Sequence, residues 1–174
     1  YSDRLQQRML KNLWKHKPRR LQLFLSQTCN LKCCYCYAEN NGSNCKNILM
    51  DWKVARQGVD YLVQKSGSRT NLQITFFGGE PLLNFKVLKK TVNYCEKISK
   101  EKNKEFVFEL ICNGTLLNQE IADYVAERDF LLFISIDGYK EMHNSQRPSV
   151  DGQDYYETIL KNAKYVIEKY KQLK

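Results

Sequence analysis

The stretch Leu21-Gln-Leu-Phe-Leu-Ser26-Gln-Thr-Cys29-Asn-Leu-Lys-Cys33-Cys-Tyr-Cys36 decides the fold of this chain. Its first part, Leu21 to Ser26, is an apolar run with the length of a buried strand. Its second part places three cysteines in the loop that follows that strand. Parallel α/β folds carry their active sites at the carboxyl ends of the strands, so the cysteine loop marks the edge of the sheet where function is expected.

Cys29, Cys33 and Cys36 have the spacing C-x3-C-x2-C. Thiolates match soft iron, and iron–sulfur clusters are usually held by four cysteines. A loop with three therefore predicts a cubane cluster whose fourth iron is open to a ligand other than protein. Cys34 would break this spacing and is interpreted as a bystander, whereas Cys95 lies on an apolar helix stripe and is predicted to be in the core.

Strands alternate with helices along the rest of the chain. The apolar runs predict four strands, at Leu21–Ser26, Leu72–Phe77, Phe106–Ile111 and Phe130–Ile136. Helices are predicted between them, one capped by Asp51 and closed near Gly67, the next capped by Asn84. A polar loop to Gly152 and a long helix follow the fourth strand. This order predicts an α/β fold with a parallel sheet and right-handed crossovers.

The first twenty residues are predicted to be separate from this pattern. Leu5, Met9 and Leu13 recur at helical spacing, and Pro18 ends the helix that they predict. Residues 1–20 are thus interpreted as an N-terminal helix with a basic linker, and residues 21–174 as the sheet-containing domain.

Composition narrows the possible functions. The chain has 174 residues, 43% apolar and 27% charged, and lacks both a long apolar run and a signal-peptide pattern, so a cytoplasmic protein with no membrane segment is expected. Seven cysteines without a secretory signal favour metal binding over disulfides. The net charge of +9 comes mostly from scattered lysines, and no basic strand studded with aromatic residues accompanies it, which disfavours nucleic-acid binding.

Each later strand also ends in an unusual polar or glycine-rich cluster. These clusters are Gly78-Gly79-Glu80-Pro81, Asn113-Gly114, and Ser135-x-Asp137-Gly138-x4-His143-Asn144-x2-Arg147. The first lacks the Lys-Ser/Thr ending of a phosphate-binding loop. A glycine-rich turn brings backbone carbonyls close to a ligand, and the fork of an arginine suits a carboxylate.

Together these motifs resemble the radical S-adenosylmethionine (radical SAM) superfamily, in particular the maturases of ribosomally made peptides and the anaerobic sulfatase-maturating enzymes. The resemblance implies a partial (β/α)6 barrel, of which this chain holds four βα units. It also implies a [4Fe–4S] cluster whose open iron binds SAM and cleaves it to a 5′-deoxyadenosyl radical. Because two units are absent and the chain begins at Tyr1, a fragment of a longer protein is expected.

The resemblance also implies roles for individual residues. Cys29, Cys33 and Cys36 would hold the cluster. The SAM contacts would be Gly78, Gly79 and Glu80 at the amino group, Ser135 and Arg147 at the carboxylate and ribose side, Asn113 at the ribose, and Tyr35 at the adenine. The family usually has threonine where Cys112 stands, which leaves that contact open. His143 is interpreted as ordering its loop. Without the resemblance, Ser135 and Arg147 would be an ordinary strand hydroxyl and loop arginine, and the glycines an ordinary turn.

The function implied is hydrogen abstraction from a peptide or protein residue, as in thioether or carbon–carbon cross-linking or formylglycine formation. A reducing donor such as flavodoxin or ferredoxin would supply the electron. One alternative is a non-catalytic iron–sulfur or zinc module for electron transfer or binding, although it leaves the later motifs unexplained. A radical SAM enzyme acting on a small molecule or nucleic acid is the other alternative.

Overall fold

The computed structural model of the chain describes residues 17–37 and 48–173. Within them, four parallel strands form one sheet in the order β1-β2-β3-β4. The strands are β1 (Arg20–Ser26), β2 (Asn71–Gly78), β3 (Glu105–Cys112) and β4 (Leu131–Ile134). The helices are α1 (Trp52–Ser66), α2 (Phe85–Lys102), α3 (Gln119–Glu127), α4 (Lys140–Gln146) and α5 (Tyr156–Gln172). The parallel sheet expected from the alternating pattern is confirmed; the predicted N-terminal helix lies outside the described residues.

The residues predicted to cap the first two helices behave differently in the structure. Asp51 caps α1 as predicted, since its side chain accepts a hydrogen bond from the Lys53 N–H at 2.6 Å. Asn84 stands at the predicted N-cap position of α2, but its side chain makes no capping hydrogen bond. Its Nδ2 instead donates to the carbonyls of Leu25 and Met50, each at 2.9 Å. Asn84 thereby ties the start of α2 to β1.

The core lies between the helices and one face of the sheet. Alternate strand residues, among them Leu25, Ile74 and Leu110, point to this face and are completely buried. Phe76 stacks on Phe108 and on Phe130 with ring centroids 6.3 and 6.0 Å apart. Each such side chain contributes about 1.5–3 kcal/mol through burial. Cys95 is fully buried in the same core, as predicted.

Two features after β3 differ from the expectation. The fourth strand ends at Ile134, so Ser135 follows the strand instead of lying within it. The predicted polar loop contains α4, whose sequence Lys-Glu-Met-His-Asn-Ser-Gln has no apolar periodicity because His143 is its one buried residue. A helix whose one buried residue is a histidine has no apolar stripe, so its sequence does not predict a helix.

The opposite face of the sheet is partly open to solvent and carries apolar side chains. Phe24 of β1 contacts Phe77 of β2 edge to face, with ring centroids 5.4 Å apart. Across the sheet, Leu131 and Phe133 of β4 are 48% and 55% exposed. Among the described residues, no helix is long and apolar enough to cross a membrane.

Candidate metal centre

The cysteine loop lies at the carboxyl end of β1 and is held from one side by residues 146–150, which comprise the last residue of α4 and the segment after it. Backbone hydrogen bonds join the two segments: Lys32 N–H to Pro148 O (2.7 Å), Cys34 N–H to Gln146 O (2.9 Å) and Val150 N–H to Asn30 O (3.0 Å). Leu31 and Ser149 also form an antiparallel bridge. The loop that carries the cysteines therefore has a defined backbone path although it is not a strand.

The Gly78-Gly79 turn holds the lead-in to the same loop from the other side. The Gly79 N–H donates to Ser26 O at 2.7 Å, and the Glu80 N–H donates to Thr28 O at 2.9 Å. A Cβ at Gly78 would lie 2.3 Å from Ser26 O, and one at Gly79 would lie 2.4 Å from Thr28 O. Both positions therefore require glycine for this packing. Their contact with SAM stays a prediction.

The sulfur of Cys29 is half-buried and surrounded by N–H donors. It accepts from the Leu31 N–H at 3.4 Å and from Asn113 Nδ2 at 3.7 Å. Burial raises the pKa of the Cys29 thiol to about 11. Burial also raises the pKa of Cys33, against the lowering effect of the Arg147 charge. Both groups are thus thiols in the metal-free protein, and a bound metal would displace their protons.

A single metal ion and a cubane cluster arrange their cysteine ligands differently. Among residues 17–37 and 48–173, no three His, Cys, Asp or Glu side chains converge as one bound ion would require. A zinc ion would draw its thiolates to about 2.3 Å from one centre, whereas each thiolate of a cubane binds a different iron.

Arg147 lies beside the cysteine loop in a cluster with Tyr35 and Asp137. Its Nε donates to Asp137 Oδ2 at 3.0 Å, and the Tyr35 hydroxyl donates to the same oxygen. The guanidinium lies 5.3 Å from the Tyr35 ring centroid, and its Nη1 is 4.0 Å from Cys33 Sγ. Burial opposes ionisation of Asp137, but the hydrogen bonds from Arg147 and Tyr35 outweigh it and lower the pKa of Asp137. Because Asp137 accepts a hydrogen bond from Nε, the other N–H groups of Arg147 can donate to a second carboxylate.

His143 orders the segment that carries Asp137. Its Nδ1 accepts from the Asp137 N–H at 3.2 Å, and its ring packs 5.4 Å from that of Tyr156. The side chain is buried, and burial lowers the pKa of His143, which favours the neutral ring that this acceptor role requires. The geometry agrees with the interpretation of His143 as a loop-ordering residue.

Glu80 and Asn113 are buried and engaged with protein. Glu80 is 0% exposed, and its carboxylate accepts from the Leu82 N–H at 3.0 Å and the Asn113 N–H at 2.8 Å. Burial raises the pKa of Glu80 to about 7, against these two hydrogen bonds. The Asn113 side chain is bonded to Asn30 and Thr115. The predicted contacts of Glu80 and Asn113 with SAM stay predictions.

Ser135 and Cys34 occupy the rim of the site. The Ser135 N–H donates to Cys112 O at 3.0 Å, which continues the ladder beyond β4 and places Ser135 at the same sheet edge as the cysteine loop. Cys34 is exposed, and its sulfur donates to Ser145 O at 3.2 Å. The Cys34 side chain thus bonds the last turn of α4. Cys45 lies outside the described residues.

The sequence motifs do not include two residues that shape this site, Asn30 and Thr115, and they do not indicate the partner of a third, Asp137. Asn30 follows Cys29 directly and Thr115 follows Asn113-Gly114, so their adjacency to motif residues was the signal that could have identified them. Asp137 belongs to the same motif as Arg147, but all of α4 lies between them in the sequence. No local spacing rule indicates that ion pair.

Comparison with known proteins matches residues 23–172 to the family model described as Radical SAM superfamily. The chain is 37% identical over 150 residues to an uncharacterized protein of Methanocaldococcus jannaschii, covering 86% of this chain and 49% of that protein. It is 29% identical over 148 residues to a cysteine-type anaerobic sulfatase-maturating enzyme of Clostridium perfringens strain ATCC 13124, covering 84% of this chain and 40% of that enzyme.

A solved structure described as native anSMEcpe with bound AdoMet and Cp18Cys peptide is also similar. It superposes with a TM-score of 0.75 at 29% identity, covering 88% of this chain and 41% of that one. The predicted fold class, an α/β partial radical SAM barrel, is confirmed by this likeness together with the parallel sheet. The chain spans about half or less of the length of these proteins.

Proposed function

Because this chain belongs to the radical SAM superfamily, which uses a [4Fe–4S] cluster and SAM, we propose that Cys29, Cys33 and Cys36 bind that cluster and that the protein modifies a peptide or protein substrate. When bound, the cluster supplies one electron for the reductive cleavage of SAM. The residues of the chain bind and orient the two groups and exclude water from them.

The observation that carries the cluster assignment is the way the cysteine loop is held. The Gly78-Gly79 turn fixes its beginning, and residues 146–150 fix its middle and end. N–H donors face the sulfur of Cys29, and a guanidinium lies beside that of Cys33. Such donors suit thiolates that carry negative charge in a cluster.

The residues around the loop offer a binding group for each end of SAM. Arg147 would pair with the carboxylate through the N–H groups that Asp137 does not use, and Ser135 would assist from the end of β4. Backbone carbonyls of Gly78 and Gly79 would accept from the amino group, while Glu80 holds their turn in place. Tyr35, whose ring is half exposed, would contact the adenine. Asn113, which the resemblance assigns to the ribose, is already hydrogen-bonded within the protein through both its Nδ2 and its Oδ1.

The proposal of a peptide or protein substrate draws on two kinds of support. The similar proteins include sulfatase-maturating enzymes and a radical SAM cyclopropyl synthase of Paramaledivibacter caminithermalis, and one similar structure contains a peptide. In this chain, the open sheet face beside the site carries Phe24, Phe77 and Phe133. An apolar wall of this kind suits a substrate side chain that must be kept from water. The net charge of +9 would favour encounter with an acidic electron donor such as flavodoxin or ferredoxin.

Anaerobic reconstitution tests the enzyme assignment. The protein reconstituted with iron and sulfide should bind close to four irons and, with SAM and dithionite, release 5′-deoxyadenosine. The variants Cys29→Ala, Cys33→Ala and Cys36→Ala should lose both properties. A reconstituted protein that holds iron but never cleaves SAM would support the non-catalytic alternative.

The substrate class needs a separate comparison. SAM cleavage by the wild-type protein should be stimulated by cysteine- or serine-containing peptides, and the modified peptide should show a mass change. Stimulation by RNA or by a small metabolite, with all peptides inert, would contradict the peptide assignment while leaving the radical SAM assignment intact.

A further inference from the structure

The amide of Asn113 has only one orientation that satisfies its surroundings. Its Oδ1 accepts from the Thr115 N–H at 3.0 Å and from the Thr115 hydroxyl at 2.7 Å. The backbone N–H is always a donor, so the oxygen of the amide must face Thr115 and the nitrogen must face the other way. Nδ2 consequently points to Cys29 Sγ, at 3.7 Å, and to Asn30 Oδ1, at 2.9 Å.

The position of Asn113 is fixed as firmly as its orientation. Its backbone N–H donates to the buried carboxylate of Glu80, and Asn30 closes the network by donating to the Thr115 hydroxyl at 2.7 Å. Asn113 is only 6% exposed, so water does not replace these partners. A donor that is oriented and immobilised in this way needs no reorganisation to act on a neighbouring sulfur.

We propose that Asn113 is a positioning residue that acts through Cys29 and raises the reduction potential of the [4Fe–4S] cluster. This inference rests on the proposed function, because it requires a cluster on Cys29, Cys33 and Cys36. Reduction adds one negative charge, part of which falls on the cysteine sulfurs. Hydrogen bonds to the sulfurs stabilise the reduced form more than the oxidised form, and they are among the factors that set the potential.

The predicted ribose contact does not account for this arrangement. Both hydrogens of Nδ2 and both acceptor sites of Oδ1 already have protein partners, namely Cys29, Asn30 and Thr115. All hydrogen-bonding groups of the Asn113 side chain are therefore engaged in linking the end of β3 to the cysteine loop. That link ends on one ligand sulfur, which distinguishes it from a general packing contact.

Potentiometry of the reconstituted protein, followed by the electron paramagnetic resonance signal of the reduced cluster, tests the proposal. Asn113→Ala removes the donor and should shift the midpoint potential to a more negative value. At a fixed applied potential, the ratio of reduced to oxidised cluster should fall several-fold. Asn113→Asp keeps the size and the acceptors for Thr115 but turns a carboxylate toward Cys29, so its shift should be larger.

Thr115→Val is the matched control. It removes a hydroxyl from the same buried network but leaves the Thr115 N–H and the bond from Asn113 Nδ2 to Cys29 in place, so the potential should equal that of wild type. Equal potentials in all four proteins would overturn the proposal, as would equal shifts in Asn113→Asp and Thr115→Val, which would indicate general damage. If Asn113→Ala does not hold a cluster, the isosteric Asn113→Leu takes its place, because it removes the donor without adding a charge. A wild-type protein without a cluster would overturn the proposed function itself.

Discussion

Gly79 provides the sharpest test of how the cysteine loop is held. A Cβ at this position would lie 2.4 Å from Thr28 O, 2.6 Å from Thr28 C and 3.1 Å from Cys29 N. A carbon–oxygen contact needs about 3.3 Å, so Gly79→Ala must separate the two backbones by roughly 0.9 Å. The hydrogen bond from the Glu80 N–H to Thr28 O would then break. Overpacking and the lost bond together should reduce the free energy of unfolding by about 2–4 kcal/mol.

The same shift moves the backbone that presents Cys29, so the variant should also bind less iron. Chemical denaturation of the metal-free protein measures the first effect, and iron and sulfide content after anaerobic reconstitution measures the second. Gly58→Ala, in α1, is the control, because the nearest atoms to its Cβ would be the ends of the flexible Leu21 and Leu23 side chains, at 3.3 Å and beyond. That variant should be as stable as wild type or gain up to about 1 kcal/mol. Wild-type stability and iron content in Gly79→Ala would refute the reasoning.

Three further changes separate the roles of neighbouring residues. Cys33→Ala should abolish iron binding after reconstitution whereas Cys34→Ala should retain it; the reverse pattern would contradict the ligand assignment. Arg147→Ala should weaken SAM binding about tenfold or more, measured by equilibrium dialysis, because a guanidinium–carboxylate pair contributes about 1.5–3 kcal/mol; unchanged affinity would show that Arg147 is structural. Glu80→Gln should lower the free energy of unfolding by about 1–3 kcal/mol, since its new N–H₂ group faces a buried N–H donor. The exposed Glu120→Gln is its control and should change stability by less than about 0.5 kcal/mol.

The sequence predicted the elements that have a periodic apolar signal. Buried runs such as Leu72–Phe77 marked each strand, and the local cap at Asp51 marked a helix start. The failures are long-range. Asn84 has the residue type and position of a cap, yet its Oδ1 makes no capping hydrogen bond, and its Nδ2 donates to two distant carbonyls, those of Leu25 and Met50. Propensity describes a residue's neighbours in sequence and carries no information about such distant acceptors.

For the site, the cysteine spacing was sufficient to locate the metal centre but not its support. The loop that follows α4 pairs with the cysteine loop across more than a hundred residues of chain, as the bond from Lys32 to Pro148 illustrates. Backbone pairing of this kind uses groups that every residue has, so it leaves no trace in residue type. The pairing of Arg147 with Asp137 is invisible for a related reason, because either residue alone suits a solvated loop.

The burial of Glu80 changes how the glycine-rich turn should be interpreted. The resemblance implied that its charge meets the amino group of SAM, but a carboxylate that is 0% exposed and accepts two backbone N–H groups is directed into the protein. An acceptor for an ammonium group must be reachable from the ligand, which is why the proposed function assigns that contact to the carbonyls of Gly78 and Gly79. Glu80 then acts indirectly on SAM binding. By accepting hydrogen bonds from the N–H groups of Leu82 and Asn113, it fixes the ends of β2 and β3 relative to each other. We expect loss of that carboxylate to loosen the turn and, with it, the proposed contacts of its carbonyls with SAM.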